Sequence, residues 1–302
     1  MSRTVPLLPD EILRNEVRGI CKRYRIEPEE VRDLLEANFA RHPDLIQKMA
    51  EQHPEHDVTR LSGYKRVVKE TKKQVYYRLR QYQRDREAQE QAHARLAALV
   101  AEKAPHSEVE PAVQQLLRTH VSTQERASVY PAFYRRLFDL AEPPRTVLDL
   151  GCGLHPLSYP FHNPATCPEV YVALDRAVES INVVATFAPY VRPTRLAAAC
   201  QDLGQVVWAD YLEAGLSMFD LAFLLKLVPV VHRLQPEAVE NLLAVPAKRL
   251  LVTASTEALT RRENIQRRED RILQTFTQQA RRPVIAEFEV GTEFGYLLGP
   301  RR

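Results

Sequence analysis

Apolar residues recur at two different spacings along the chain, and the change of spacing divides it. Over residues 11–100 they fall three or four apart, the period of helices that bury one face. Val17, Ile20, Cys21 and Tyr24 share one such face. Val31, Leu34 and Leu35 follow Pro28 in a second, and residues 44–49 make a third short piece ahead of Pro54. The clearest stripe is Tyr64, Val68, Thr71, Val75, Leu79 and Tyr82. Residues 86–102, rich in Ala and Gln with mixed charges, predict a helical spacer, and Pro105 and His106 break the run. That break predicts two domains, 1–104 and 105–302.

Beyond it, helices are predicted from Ser107, with Glu110 as capping-box partner, to Leu117, and from Ser122, with Glu125, to Leu140, broken near Pro131. Continuous apolar runs then alternate with helical ones. Strands are predicted at residues 145–150, 170–174, 205–208, 219–225 and 249–253, and helices at 177–187, 237–244 and 260–277. Residues 284–290 and 294–298, joined by Gly291-Thr-Glu293, read as a closing antiparallel hairpin. Strand–helix alternation buries a mainly parallel sheet on both faces, so the second domain is expected to be a doubly wound α/β fold preceded by a helical one.

The first of those strands ends in Gly151-Cys-Gly153, where a backbone turns sharply and approaches something closely. The second ends in Asp175, whose carboxylate can accept both hydroxyls of a ribose. A dinucleotide fingerprint needs a third glycine opening the helix, and Leu154-His-Pro156 stands there instead. S-adenosylmethionine fits better, because it presents adenine, ribose and a charged amino-acid end without a phosphate. The competing reading is a turn that only packs helix on strand. Asp210 follows the predicted third strand, where it either accepts from the adenine amine or serves as a loop carboxylate or N-cap. Arg126 precedes the first strand, placed either to pair with the cofactor's carboxylate or to lie solvated on a helix. Lys226 closes the central strand, so its charge either enters the ligand crevice or snorkels to water.

Composition narrows the setting. At 302 residues and 45% hydrophobic content the chain suits one large globular domain or two ordinary ones. No apolar run approaches the about 20 residues of a membrane span, and the first residues lack the apolar core of a signal peptide, so a cytoplasmic protein with no membrane partner is expected. Cys21, Cys152, Cys167 and Cys200 lack CxxC pairing, which argues against a disulfide framework and a structural zinc. Packing is preferred to a metal site at Cys152, His155, His162 and Cys167, so no metal is expected. Net charge is only +3 but unevenly spread, because Glu70 alone interrupts the cations between Arg60 and Arg84. Lys65, Lys69, Lys72, Lys73 and Arg80 flank the apolar stripe, either as a solvated face or as contacts that position nucleic-acid phosphates. The pattern specifies no oligomeric state.

The segments His120-Val-Ser-Thr-Gln-Glu-Arg126, Leu148-Asp-Leu-Gly-Cys-Gly-Leu-His-Pro-Leu157, Val170-Tyr-Val-Ala-Leu-Asp175, Leu224-Leu-Lys-Leu-Val-Pro229, Leu251-Val-Thr253 and Phe288-Glu-Val-Gly-Thr-Glu293 with Tyr296 together resemble one family. Val67-Val-Lys-Glu-Thr-Lys-Lys73 looks like the same family's amino-terminal module. It is the family of 16S ribosomal RNA methyltransferases that confer aminoglycoside resistance by methylating guanine N7 at position 1405 in the decoding site. The resemblance implies a class I (Rossmann-like) S-adenosylmethionine-dependent methyltransferase fold with an N-terminal helical domain. It implies that Arg126 holds the cofactor carboxylate, that Gly153, in the turn begun by Gly151, lines its methionine end, and that Asp175 takes the ribose and Asp210 the adenine. Lys226 would lie beside the target base, and the basic helices would dock on 16S rRNA of the 30S subunit.

Two departures bear on substrate and cofactor. His155 replaces the asparagine usual after Gly-Leu. Ala254-Ser-Thr-Glu-Ala-Leu259 replaces Phe-Pro-Thr-Lys/Arg-Ser-Leu, putting Glu257 where a cation is expected. They leave two alternatives: a methyltransferase of the same fold with another target, or an RNA- or ribosome-binding descendant without catalysis.

Overall fold

The computed structural model describes residues 10–24, 28–51, 57–82, 86–119, 121–124, 126–212, 216–256 and 265–301. Its contacts divide the chain into two compact units, Met1–Arg84 and Asp85–Arg302.

The first unit is helical: α1 (Asp10–Tyr24), α2 (Pro28–Ala40), α3 (Pro43–Ala50) and α4 (Ser62–Tyr82). Pro28 and Pro43 open their helices, where a missing N–H costs nothing. Leu13, Val17 and Ile20 meet Val31, Leu35 and Phe39, and Tyr64, Val67, Val68 and Val75 of α4 close the core. The predicted stripe therefore faces inward as far as Val75; the side chains of Leu79 and Tyr82 lie outside the described residues. Buried Asn38 is satisfied, donating to Thr71 Oγ1 at 2.9 Å and Gln74 Oε1 at 2.8 Å.

The second unit opens with α5 (Arg86–Ala101), α6 (His106–Thr119), α7 (Val121–Gln124) and α8 (Tyr130–Leu140). There follow β1 (Thr146–Leu150), β2 (Val170–Asp175), α9 (Val178–Phe187), β3 (Arg195–Cys200), β4 (Phe219–Leu225), α10 (Leu227–Leu234), α11 (Val239–Leu243), β5 (Ala247–Ser255), α12 (Gln266–Ala280), β6 (Val284–Val290) and β7 (Glu293–Leu298). The seven strands run in the order β3-β2-β1-β4-β5-β7-β6. Strands β1 to β5 are parallel, and β7 is antiparallel to both neighbours. Helices α5, α6, α8 and α9 cover one face of the sheet; α10, α11 and α12 cover the other. Among the described residues no helix is long and apolar enough to cross a membrane.

Two expectations are corrected. The division falls after Arg84 rather than at 104/105, because α5 buries Ala92 and Leu96 in the sheet unit's core with Val109 and Leu116 of α6. Its alanines, which suggest a spacer, let it lie close against α6. The third strand is Arg195–Cys200, not residues 205–208. An edge strand needs no continuous apolar run, and Ala197-Ala-Ala-Cys200 gives none; Val206 and Trp208 instead pack from an irregular segment, with Trp208 Nε1 donating to Asn241 O at 3.2 Å. A helix, α10, follows Lys226 directly, tolerating Pro229 in its first turn. The break expected near Pro131 is present: a helix begins at Tyr130 after a turn at residues 126–129, with Pro131 in its first turn. Glu125, the side chain of Ser122 and residues 257–264, including Glu257, lie outside the described residues.

Candidate cofactor and RNA site

β1 lies between β2 and β4, so the strand order reverses there and a crevice opens at the carboxyl ends. Gly151 and Gly153 turn the chain out of β1 with φ of 61° and 51°. A Cβ on Gly151 would also stand 2.8 Å from Leu227 Cδ1. The turn is pinned to β2: the Cys152 N–H donates to Leu174 O at 3.1 Å, and the Gly153 N–H to Asp175 Oδ2 at 2.8 Å. Asp175 Oδ1 accepts from the Ala177 N–H at 2.8 Å, ahead of α9. Each oxygen thus has one lone pair fixed by backbone and another to offer a ligand.

Asp210 does not follow a strand; it is exposed in a 3-10 turn, Trp208–Tyr211. That turn reaches the same rim, since Tyr211 Oη donates to Gln201 Oε1 at 2.7 Å and the Gln201 N–H to Asp175 O at 2.8 Å. Burial, and then the nearby charge of Asp210, push the Tyr211 hydroxyl upward. Two large apolar side chains stand in water beside these acids in sequence, Val178 at 50% and Val207 at 56% exposure.

Arg126 is not solvated. It is buried and donates from Nε to Glu293 Oε2 at 2.5 Å and from Nη2 to Oε1 at 3.1 Å. Thr253 Oγ1 donates to the same carboxylate, and the Lys226 N–H lies 3.1 Å from both Thr253 O and Oγ1. Burial alone would raise the Glu293 carboxyl; the charges of Arg126 and Lys226 outweigh it and hold it below the ordinary value. Lys226, half-buried, sits in the left-handed region at φ 56° as it caps α10. Gly295 makes this closeness possible, for a Cβ there would lie 2.0 Å from Val252 O. Sequence reasoning treats Glu293 as a turn residue, although it closes the Phe288–Glu293 segment that carries part of the resemblance.

His155 is buried beneath the glycine turn with Nδ1 2.8 Å from Asp149 Oδ2 and Nε2 2.9 Å from Tyr134 Oη. Sequence reasoning missed Asp149 and Tyr134 because both fall at ordinary core positions. Burial raises the Cys152 thiol, as for a packing residue rather than a nucleophile. Among the described residues no group of three His, Cys, Asp or Glu is disposed to hold a metal.

In the helical unit, Lys65, Lys69 and Lys73 are exposed and four residues apart, so they share one face of α4, turned away from the buried Tyr64, Val67, Val68 and Val75. Lys72 is partly diverted to Glu16 at 3.4 Å, and Lys73 lies 3.9 Å from Glu70. The Arg80 side chain lies outside the described residues.

A family profile described as Ribosomal RNA methyltransferase (FmrO) matches residues 36–283. Over 142 residues the chain is 34% identical to a 16S rRNA (guanine(1405)-N(7))-methyltransferase of Micromonospora olivasterospora, covering 46% of this chain and 44% of that protein. Over 189 residues it is 31% identical to a protein of the same name from Micromonospora rosea, covering 61% and 65%. The chain thus spans less than two thirds of either relative's length. The crystal structure of the 16S rRNA methyltransferase RmtF in complex with S-adenosyl-L-homocysteine matches with a TM-score of 0.56 over 97% of this chain and 100% of that one, at 22% identity. The shared fold is the Rossmann-like methyltransferase fold.

Proposed function

The chain belongs to the ribosomal RNA methyltransferase (FmrO) family, and on that premise we propose that it methylates N7 of the guanine at position 1405 of 16S rRNA in the 30S subunit, using S-adenosylmethionine. The observation that carries the reading is the Asp175 carboxylate, held by the Gly153 and Ala177 N–H groups where the strand order reverses. A carboxylate so fixed offers its outward lone pairs to the two hydroxyls of a ribose. Val178 and Val207 supply exposed apolar surface for an adenine, and Asp210 an acceptor for its amine. Arg126, held by Glu293, would take the cofactor carboxylate.

When bound, the cofactor supplies a methyl group activated by a sulfonium. Guanine N7 already presents a lone pair in the base plane, so no residue has to remove a proton. The protein's task is to align the two, and positioning supplies most of the gain. Lys226 orients the guanine through O6 or through a flanking phosphate, with Glu293 keeping its charge in place. Lys65, Lys69 and Lys73, with Lys72 and Arg80 on the same helix, dock on rRNA phosphates and set orientation rather than sequence. A 30S substrate places the reaction in the cytoplasm.

Primer extension on 16S rRNA from 30S subunits incubated with protein and cofactor, after borohydride reduction and aniline cleavage at N7-methylated guanines, tests the target directly: a stop from strand scission at position 1405 is expected. Modification at another nucleotide assigns the same chemistry a different target, and no heat with the cofactor in calorimetry leaves only a binding protein. Lys226→Ala is expected to abolish methylation while cofactor affinity stays; lost affinity contradicts its role. Replacing Lys65, Lys69 or Lys73 by Ala should lower the salt dependence of 30S binding by about one unit of slope each.

A further inference from the structure

The hydrogen bonds beneath the glycine turn are more extensive than packing requires. Asp149 Oδ2 accepts from Tyr171 Oη at 2.8 Å as well as facing His155 Nδ1. Tyr134 Oη, bonded to His155 Nε2, lies 3.1 Å from Ser158 Oγ, which donates to the His155 carbonyl at 2.7 Å. Asp149, His155, Tyr134 and Tyr171 are each buried, at 1%, 1%, 5% and 0% exposure. A carboxylate can only accept, so Nδ1 carries a proton toward Asp149, while Nε2 shares a hydrogen bond with the Tyr134 hydroxyl. One imidazole therefore links β1, β2 and α8 with the 3-10 turn His155–Ser158 that follows the glycines.

Such a network is costly unless every member is satisfied, and satisfied it allows a single arrangement. It serves no proton transfer, because methylation at a lone pair in the base plane requires none. What it fixes is local. The His155 N–H donates to Cys152 O at 2.9 Å, so the ring's position sets the turn between Cys152 and His155. Within that turn, the Gly153 N–H holds Asp175 Oδ2.

We propose that His155 is a positioning residue for the cofactor: it locks the glycine turn from below, and through the Gly153 N–H aims the Asp175 carboxylate at the ribose. This deepens the function proposed above and rests on it. Three variants dissect it. His155→Phe keeps a ring among Phe133, Tyr134 and Phe223 but removes both polar contacts. His155→Asn keeps a donor for Asp149 but is too short to reach Tyr134. Tyr134→Phe removes one hydroxyl alone.

The readouts are calorimetric affinity for S-adenosylhomocysteine, and KM for the cofactor against kcat on 30S subunits. His155→Asn should weaken cofactor binding and raise KM roughly tenfold, and Tyr134→Phe roughly threefold, with kcat at saturating cofactor within about twofold of wild type. A histidine that only supported the fold would lower the unfolding temperature and leave KM unmoved; that result overturns the proposal. If His155→Phe fails to fold, Tyr134→Phe still decides, and unchanged affinity there also overturns it. Wild-type protein that gives no cofactor heat refutes the cofactor reading instead, so the two failures are told apart.

Discussion

The two ends of the parallel strands use charge in opposite ways. At the amino end Asp220, on β4, accepts from the Arg145 N–H at 3.0 Å, the Thr146 N–H at 3.1 Å and Lys248 Nζ at 2.8 Å, with the Lys248 side chain 59% exposed. Even the buried cation there, Arg282, is spread over the carbonyls of Val245, Lys248 and Gly299. At the carboxyl end Arg126 and Glu293 form one buried pair, at 5% and 4% side-chain exposure, and Gly151, Gly153 and Lys226 all adopt positive φ. Around Asp220 the wet end ties strands together with contacts that water would largely replace. The dry end instead keeps a whole ion pair out of water, a cost that joining strands does not require. A buried ion pair beside a left-handed lysine, where the strand order reverses, is what a ligand site looks like.

The sharpest way to break this contrast is to remove one member of the dry pair. Glu293→Ala leaves the Arg126 guanidinium buried without its anion, and should cost about 3–5 kcal/mol in urea unfolding. Replacing both, with Arg126→Met and Glu293→Leu, should recover most of that stability and none of the activity. If Glu293→Ala costs less than ~1 kcal/mol, the carboxyl end is no drier than the other and the contrast fails.

Lys226 separates strain from function. A non-glycine residue at φ 56° is held about 1 kcal/mol above its relaxed backbone. Lys226→Gly should therefore raise stability by up to about 1 kcal/mol while abolishing methylation, moving the two readouts in opposite directions. A variant that loses both, or keeps its activity, would show that the side chain matters structurally or not at all.

These two ends differ as much in legibility as in energetics. Residues 219–225 and 145–150 announce buried strands because both faces must be apolar there, and the helical period of α4 separates Val68 and Val75 from Lys65 and Lys69. Gly151, Gly153 and Asp175 are readable for a local reason: the glycines meet the acid of the neighbouring strand through a single hydrogen bond. Strand β3 is hidden because an edge strand of alanines carries no apolar run. Glu293 is hidden because its meaning depends on Arg126, 167 residues away in sequence, and on the close approach that Gly295 allows. Lys226 is legible in place but not in conformation, since nothing in Leu-Lys-Leu signals a left-handed residue. The wet end is unreadable for another reason: charged residues at strand starts are ordinary, and only register puts Asp220 opposite Lys248.

The smallest effect belongs to that wet end and fixes the sign of its pH dependence. Burial alone would raise the Asp220 carboxyl, but the hydrogen bonds from Lys248 and from the Thr146 and Arg145 N–H groups outweigh it and lower the pKa from its ordinary 3.8. A carboxyl lowered in the folded state adds stability that is complete above its unfolded value and is lost as pH falls through the folded one. Asp220→Asn should thus cost only about 1 kcal/mol at neutral pH, because the carboxylate and its lysine are reached by water. The difference between wild type and variant should shrink as the pH is taken below about 4 and should not change between about 6 and 8. A gap that widened on acidification would reverse the sign. One as large as that expected for Glu293→Ala would mean that the amino end is as dry as the site.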